Sequence, residues 1–359
     1  MRNVFIGILL AAVLPGTLRA EPIKIGVQTS LTGDAATFGA DIRNALELAR
    51  DQLAPGGRYE FIYEDERCDP ATGVKAAQKL ASIDKVKYVL GFSCNSPLLT
   101  SAPIYDRAKI VGISATASTG DVRDVGRYMF RLFPNDATGV DVLIPYIAGR
   151  HKHLGILTET NEYPTMMERA AKTVAAKFEG FQVSAEQFLS NDADYRTLLL
   201  RLKSKGVDAL YINTGTEAPF ATATKQTRAL GWNVPIYTVY FGGSKAYLDA
   251  VGPLAEGVMY SDLPNGRDYA TEEGRKILDE YVKRYGEPKS FEMVTSFAYE
   301  SFRILDEAIR SGVPVEQYLR DTKFKGPLMG DFHFDNYGQV VGLQFTMKRI
   351  ENGKVVSLR

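Results

Sequence analysis

The stretch Tyr88–Pro103, YVLGFSCNSPLLTSAP, reads as a buried strand running through a short loop into a helix. Tyr88, Val89 and Leu90 form the apolar run and Gly91 breaks it. Pro97 suits the first turn of a helix, where a missing N–H costs nothing, and Asn95 or Ser96 is the expected N-cap. A helix start of this kind directs unpaired N–H groups and a partial positive charge at whatever sits above the strand end, so an anion is favoured there. Taken alone, the same residues also describe an ordinary strand-to-helix turn that binds nothing.

Working outward, the same alternation recurs on both sides. Strands are expected at Ile23–Val27, Tyr59–Glu64 and Ile110–Ser114, with helices over Ala40–Leu53 and from Asp69-Pro70 to Ile83. It restarts with strands at Leu154–Thr158, Phe181–Phe188, Ala209–Asn213 and Val234–Val239, separated by helices at Met166–Phe178, Tyr195–Lys205 and Phe220–Leu230. Strand and helix in strict alternation indicate an α/β fold with parallel sheets covered on both faces. In such sheets ligands bind outside the carboxyl ends of the strands. Here those ends lead into Thr29–Gly39, Gly91–Ser96 and Ser114–Gly120, all rich in Ser, Thr and Gly and poor in charge. They offer hydroxyls and bare N–H groups rather than catalytic acids. After Tyr260 the pattern changes to helices at Glu272–Tyr285, Met293–Arg310 and Pro314–Asp321. A hairpin follows, pairing Val341–Arg349 with Lys354–Ser357 across Asn352-Gly353.

At 359 residues the chain suits two domains. Arg2 and Arg19 are the only charges in the first twenty residues, which leaves 41 basic and 43 acidic residues beyond them. That balance gives no reason to expect nucleic acid or an anionic membrane as a partner. Residues 1–20 have the form of a cleaved signal peptide: Arg2, an apolar run Val4–Leu14 too short to span a bilayer, Pro15-Gly16, and Ala20 at the cut. The expected location is therefore the periplasm. In an oxidising compartment the only two cysteines, Cys68 and Cys94, suggest one disulfide, worth roughly 3–3.5 kcal/mol by loop entropy, although two separate buried thiols fit the sequence as well.

An enzyme is the rival class. The histidines are His151, His153 and His333; HKH at 151–153 precedes a strand and so lies away from the expected cleft. No dinucleotide fingerprint, phosphate loop or nucleophile elbow is present, and no catalytic residue, metal or cofactor is expected.

Five segments in order, IKIGVQTSLTGDAATFG, YEDERCDP, GFSCNSP, ISATAST and GPLMGDFHFDNYG, resemble the leucine/isoleucine/valine-binding proteins, type 1 periplasmic solute-binding proteins of ABC importers. The resemblance implies two Rossmann-like lobes joined by a three-strand hinge with a ligand cleft between them. One lobe would comprise residues 21–133 plus 264–337 and the other 134–263 plus 338–359. It also implies a Cys68–Cys94 disulfide, a monomer, and a membrane permease as partner. Carried over residue by residue, the site would hold Phe38, Asn95, Ser114, Ala115, Thr116, Tyr163, Thr216 and Tyr240. Asn95 stands where the family commonly has Ser against the ligand carboxylate. The main departure lies after the strand ending at Val239, where the family's acid for the ligand ammonium is replaced by Tyr240-Phe241; Glu217, one strand away, could substitute. A buried ammonium without an anion is costly, so the expected ligand is a small carboxylate lacking an amino group, such as an aromatic or keto acid. A branched-chain or other amino acid is the alternative, and a sensor feeding a receptor is the third reading.

Overall fold

The computed structural model describes residues 21–33, 35–263, 267 and 270–358; the segment read as a signal peptide lies outside them. The first half builds β1 (Ile23–Thr29), α1 (Ala36–Leu53), β2 (Tyr59–Asp65), α2 (Pro70–Gln78), β3 (Tyr88–Gly91), α3 (Asn95–Ala108), β4 (Val111–Ser114) and β5 (Met129–Arg131). These strands form one parallel sheet in the order β2-β1-β3-β4-β5. The order reverses beside β1, which is the arrangement that opens a crevice at the carboxyl edge. β3 and β4 are short, almost wholly buried runs, as strands covered on both faces must be.

The chain then forms α4 (Ala137–Ala148), β6 (His153–Glu159), α5 (Glu162–Ala175), β7 (Gln182–Phe188), α6 (Arg196–Ser204), β8 (Ala209–Asn213), α7 (Glu217–Ala229), β9 (Ile236–Val239), α8 (Lys245–Val251) and β10 (Met259–Asp262). It continues with α9 (Glu272–Tyr285), α10 (Glu292–Ser311), α11 (Val315–Asp321), β11 (Lys323–Gly326), β12 (Gly330–Phe334), β13 (Val340–Val341), β14 (Thr346–Glu351) and β15 (Lys354–Ser357). The second sheet runs β15-β14-β10-β9-β8-β6-β7, parallel from β10 to β7 and antiparallel at β14 and β15. A third, small antiparallel sheet joins β11, β12 and β13. The molecule is thus a bilobed α/β structure.

The late helices pack back on the first sheet. Helix α10 lies along α1. Tyr59 donates to Asp306 at 2.7 Å, and Tyr281 donates to buried Asp41 at 2.8 Å. Such long-range bonds between buried groups fix the docking, because breaking one leaves a polar atom unpaired.

Three local expectations change. Helix α1 starts at Ala36 rather than Ala40, so Phe38 sits in its first turn and not in a loop. Gly39 permits this, since a Cβ there would come within 1.8 Å of the Ser30 carbonyl oxygen. At α3 the N-cap is Cys94, with neither Asn95 nor Ser96 in that role; Pro97 is the third helical residue, as Pro164 and Pro219 are in α5 and α7. The tail strand starts at Thr346, because Val340–Val341 pairs with β12 instead. The hairpin turn itself is as expected, with Asn352 and Gly353 both at positive φ.

Candidate functional site

The loop after β3 is held from beneath by a buried acid. Glu66, at the end of β2, is fully buried and accepts N–H bonds from Ser93 (2.7 Å) and Cys94 (3.2 Å) and one from the Gln28 amide (3.2 Å). Burial pushes its carboxyl up to about 8, while those three donors pull the other way. Cys94 is joined to Cys68 with the Cα atoms 5.3 Å apart, which ties the loop to the turn after Glu66. Gly91 supplies the bend at φ +110, where a Cβ would lie 2.5 Å from the Gln28 carbonyl. Phe92 follows at φ 60, an uncommon conformation for a bulky residue.

Asn95 is half-buried and turns its Oδ1 toward the next loop, accepting from the N–H of Ser118 (2.7 Å) and Thr119 (3.2 Å). Its Nδ2 remains as the donor. The Thr116 hydroxyl donates to the Phe92 carbonyl at 2.7 Å, so only its backbone N–H and lone pairs are left for a solute. Ser114 and Ala115 are fully buried; the Ser114 oxygen accepts the Ala117 N–H at 3.0 Å and shapes the loop. Asn95 and Thr116 thus fasten the β3 and β4 loops to each other.

Opposite stands the second lobe. Ser96 donates to Glu162 of α5 at 3.0 Å, and the Thr119 hydroxyl reaches the Met166 sulfur at 3.5 Å, so the α3 and β4 loops face α5 directly. Tyr163 is half-buried, and burial raises its hydroxyl well above the ordinary value, with Asp136 and Tyr211 near enough to add to the effect. Tyr240 is buried at φ 61 and donates to the Asp136 carboxylate. Strain of this kind in a buried bulky residue persists only where the surroundings enforce it. Here they include the rings of Phe133 and Phe345, 5.9 and 5.5 Å away. Thr216 is exposed at the N-cap of α7. Glu217 is half-buried, and burial raises its carboxyl.

Two residues outside the sequence-derived set, Asp136 and Phe291, belong to this picture, together with Phe241, which follows Tyr240 where the family's acid would stand. Asp136, in the connection from β5 to α4, is buried, and burial pushes it up to about 6 against the opposing pull of Ser118, Tyr240 and Arg131. Phe291 and Phe241 extend the aromatic wall: Phe291 lies 6.0 Å from the Phe38 ring of α1 and 6.1 Å from the Phe241 ring in the turn after β9. An acid beside an Asn and a lone Phe before a helix carry no periodic signal that would have singled them out.

Tyr240→Phe removes the donor to buried Asp136 while keeping the ring. It is expected to cost roughly 1–3 kcal/mol of stability, read by chemical denaturation at neutral pH. At a pH well below 6, where Asp136 is protonated, the difference from the parent should shrink.

Among the described residues no cluster of His, Cys, Asp and Glu could hold a metal, and no helix is long and apolar enough to cross a membrane. His151 bonds Tyr237 and His153 bonds Ser184, each at 2.9 Å.

The chain is similar to the leucine-, isoleucine-, valine-, threonine- and alanine-binding protein of Pseudomonas aeruginosa, 23% identical over 97% of this chain and 95% of the relative. Among solved structures it resembles a leucine-binding protein of Thermotoga maritima (TM-score 0.81, 21% identity, 94% of this chain and 98% of that one). It also resembles an ABC-transporter solute-binding protein of Rhodopseudomonas palustris in complex with 3,4-dihydroxybenzoic acid (TM-score 0.79, 19% identity, 94% and 96%). These structural likenesses speak for the bilobed fold. The profile of the periplasmic binding proteins matches residues 22–354, nearly all of the described chain, and the protein therefore belongs to that family of non-catalytic solute-binding proteins.

Proposed function

We propose that the protein is the exported solute-binding component of an ABC importer, and that its solute is a small carboxylate without an amino group, an aromatic acid before a keto acid. The lobes would divide near residues 133, 263 and 337, with the solute between the β3 and β4 loops on one side and α5, α7 and the β9 turn on the other. The observation that carries the solute class is the aromatic run Phe38–Phe291–Phe241, which spans both lobes and places a phenyl ring, not an acid, directly after Tyr240. Offset and edge-on aromatic packing would hold a planar ring. The Asn95 Nδ2 and the backbone N–H groups of the α3 start would take the carboxylate. The dihydroxybenzoate bound by the R. palustris protein is the same class of solute on the same fold. Lobe closure over the solute would shift the population toward the form that docks on the permease.

A second reading, a branched-chain or other amino acid, is favoured by the names of the P. aeruginosa and T. maritima relatives and by Glu217, a half-buried acid at the start of α7. A thermal-shift screen separates the two, because a bound solute raises stability by mass action. Benzoates and keto acids are expected to raise the melting temperature while leucine and valine do not. A shift with leucine or valine and none with the other acids would overturn the solute class and leave the family intact. With the best solute in hand, Asn95→Ala is expected to weaken binding by roughly 1–3 kcal/mol, the cost of a charged partner losing a donor, measured by titration calorimetry.

A further inference from the structure

Asp136 lies where the loop after β4 meets the turn after β9. Its N–H donates to the Ser118 carbonyl at 3.1 Å, and the Ser118 N–H is held in turn by Asn95 Oδ1 at 2.7 Å. A single residue therefore links Asp136 to the amide assigned to the solute's carboxylate. From the other side the Tyr240 hydroxyl donates to Asp136 Oδ1, and the hydroxyls of Tyr163 in α5 and Tyr211 in β8 feel its charge. The residue is only 3% exposed. Among the described residues it forms no ion pair. Arg131 of β5 acts on it through space, with its Nη1 given to the Thr119 carbonyl at 2.6 Å.

A buried acid held by neutral donors and one cation at a distance tolerates a second negative charge poorly. A carboxylate solute brings one. Like charges about 10 Å apart in a protein interior raise an acid's pKa by roughly one or more, and Asp136 starts from about 6. Glu66, beneath the β3 loop, holds its proton up to about 8 and so adds little charge at pH 7. Glu217 of α7 is the other half-buried acid of the cleft, and Asp262 of β10 bears on Tyr240. We propose that Asp136 is a specificity residue of the cleft: a monoanionic solute enters together with one proton, which Asp136 takes up, so that the loaded cleft gains no charge. The proton comes from solvent and settles on Oδ2, because Oδ1 accepts from Tyr240. The coupling is reciprocal: protonation strengthens solute binding by the factor by which the solute strengthens protonation. This inference rests on the carboxylate reading above; an amino acid, entering as a zwitterion, brings no net charge and needs no proton.

The test titrates benzoate into the full mature chain by calorimetry at pH 7, in PIPES and in imidazole, whose different heats of ionisation give the number of protons taken up. Roughly 0.3–0.7 proton per benzoate is expected at that pH. The Kd for benzoate should rise roughly 3- to 10-fold from pH 5.5 to pH 7. Asp136→Asn should take up no proton and bind benzoate at pH 7 about as tightly as the parent does at pH 5.5. A residue that merely braced the loop would instead weaken binding at every pH. In the parent, the Asp136 carboxyl-carbon resonance, assigned through its backbone, should titrate at about 6 in the free protein and higher with benzoate bound. Equal midpoints in the two states, or proton uptake that survives in the Asn variant, would overturn the assignment. Benzoate binding without proton uptake would overturn it and leave the solute class standing, whereas no benzoate binding at either pH would overturn both.

Discussion

Glu66→Ala is expected to lower the unfolding free energy by roughly 2–4 kcal/mol at pH 6, the largest effect of any single side chain around the cleft. The substitution strips the acceptor from the Ser93 and Cys94 N–H groups and from the Gln28 amide, and each buried donor left unpaired costs about 1–3 kcal/mol. Relief of the buried carboxyl's own desolvation offsets part of that sum. The pH dependence identifies the cause. The folded protein holds the Glu66 proton up to about 8, whereas the unfolded chain releases it near the ordinary value of 4.5. The folded state therefore binds more protons in that interval, and stability falls as pH rises through it. Glu66's contribution is fully present below about 4.5 and is lost as pH passes 8. Glu66→Gln, which cannot titrate, should flatten this part of the stability–pH curve, as measured by urea denaturation from pH 5 to 9. A curve with the same slope in the Gln variant would show that another group sets it. Solute affinity should fall in the Ala variant, because Asn95 is the residue that follows the loosened N–H pair.

The paired substitution Cys68→Ser with Cys94→Ser is expected to cost roughly 3 kcal/mol, the value of closing a loop of this length in the unfolded chain. Reductant should lower the denaturation midpoint of the parent to that of the variant and leave the variant unmoved. The bond also fastens the start of α3 to the turn carrying Glu66, so the loss extends to function: the Asn95 amide becomes less well ordered and solute affinity drops with it. An unchanged midpoint on reduction would mean that Glu66 alone holds the loop.

Much of this architecture is legible in the residues. Short apolar strands separated by amphipathic helices specify parallel sheets, and the turn pair Asn352-Gly353 specifies the final hairpin. What escaped has physical reasons. Strand β5 is three residues long, too short for any period to register. Helix α4 carries Pro145 in its interior, which reads as a break, and it is apolar over most of its surface. Strand β10 lies where the chain turns from strands to helices, and β11 and β12 contain glycines and charges that suggest loop. In the site, Glu66 stands in the run Glu64-Asp65-Glu66-Arg67, which reads as a solvated face; only the partners brought from β1 and the β3 loop reveal that it is buried. Asp136 is hidden in the same way, since the tyrosine that bonds it lies 104 positions along the chain. Tertiary partners of single polar residues leave no periodic trace, whereas repeated apolar spacing does.

The two sheets differ in when the emerging chain supplies them. All five strands of the first sheet lie before residue 132, so that sheet can pair before most of the chain has followed. The second cannot. Strand β10 must wait for β14, which joins Met259–Asp262 to Thr346–Arg349 near the very end of the chain. Until then β10 presents an open edge, the kind of surface that recruits wrong partners. Truncation by a dozen residues would remove β15 and part of β14 and leave that edge open, even though it touches none of the residues assigned to the cleft.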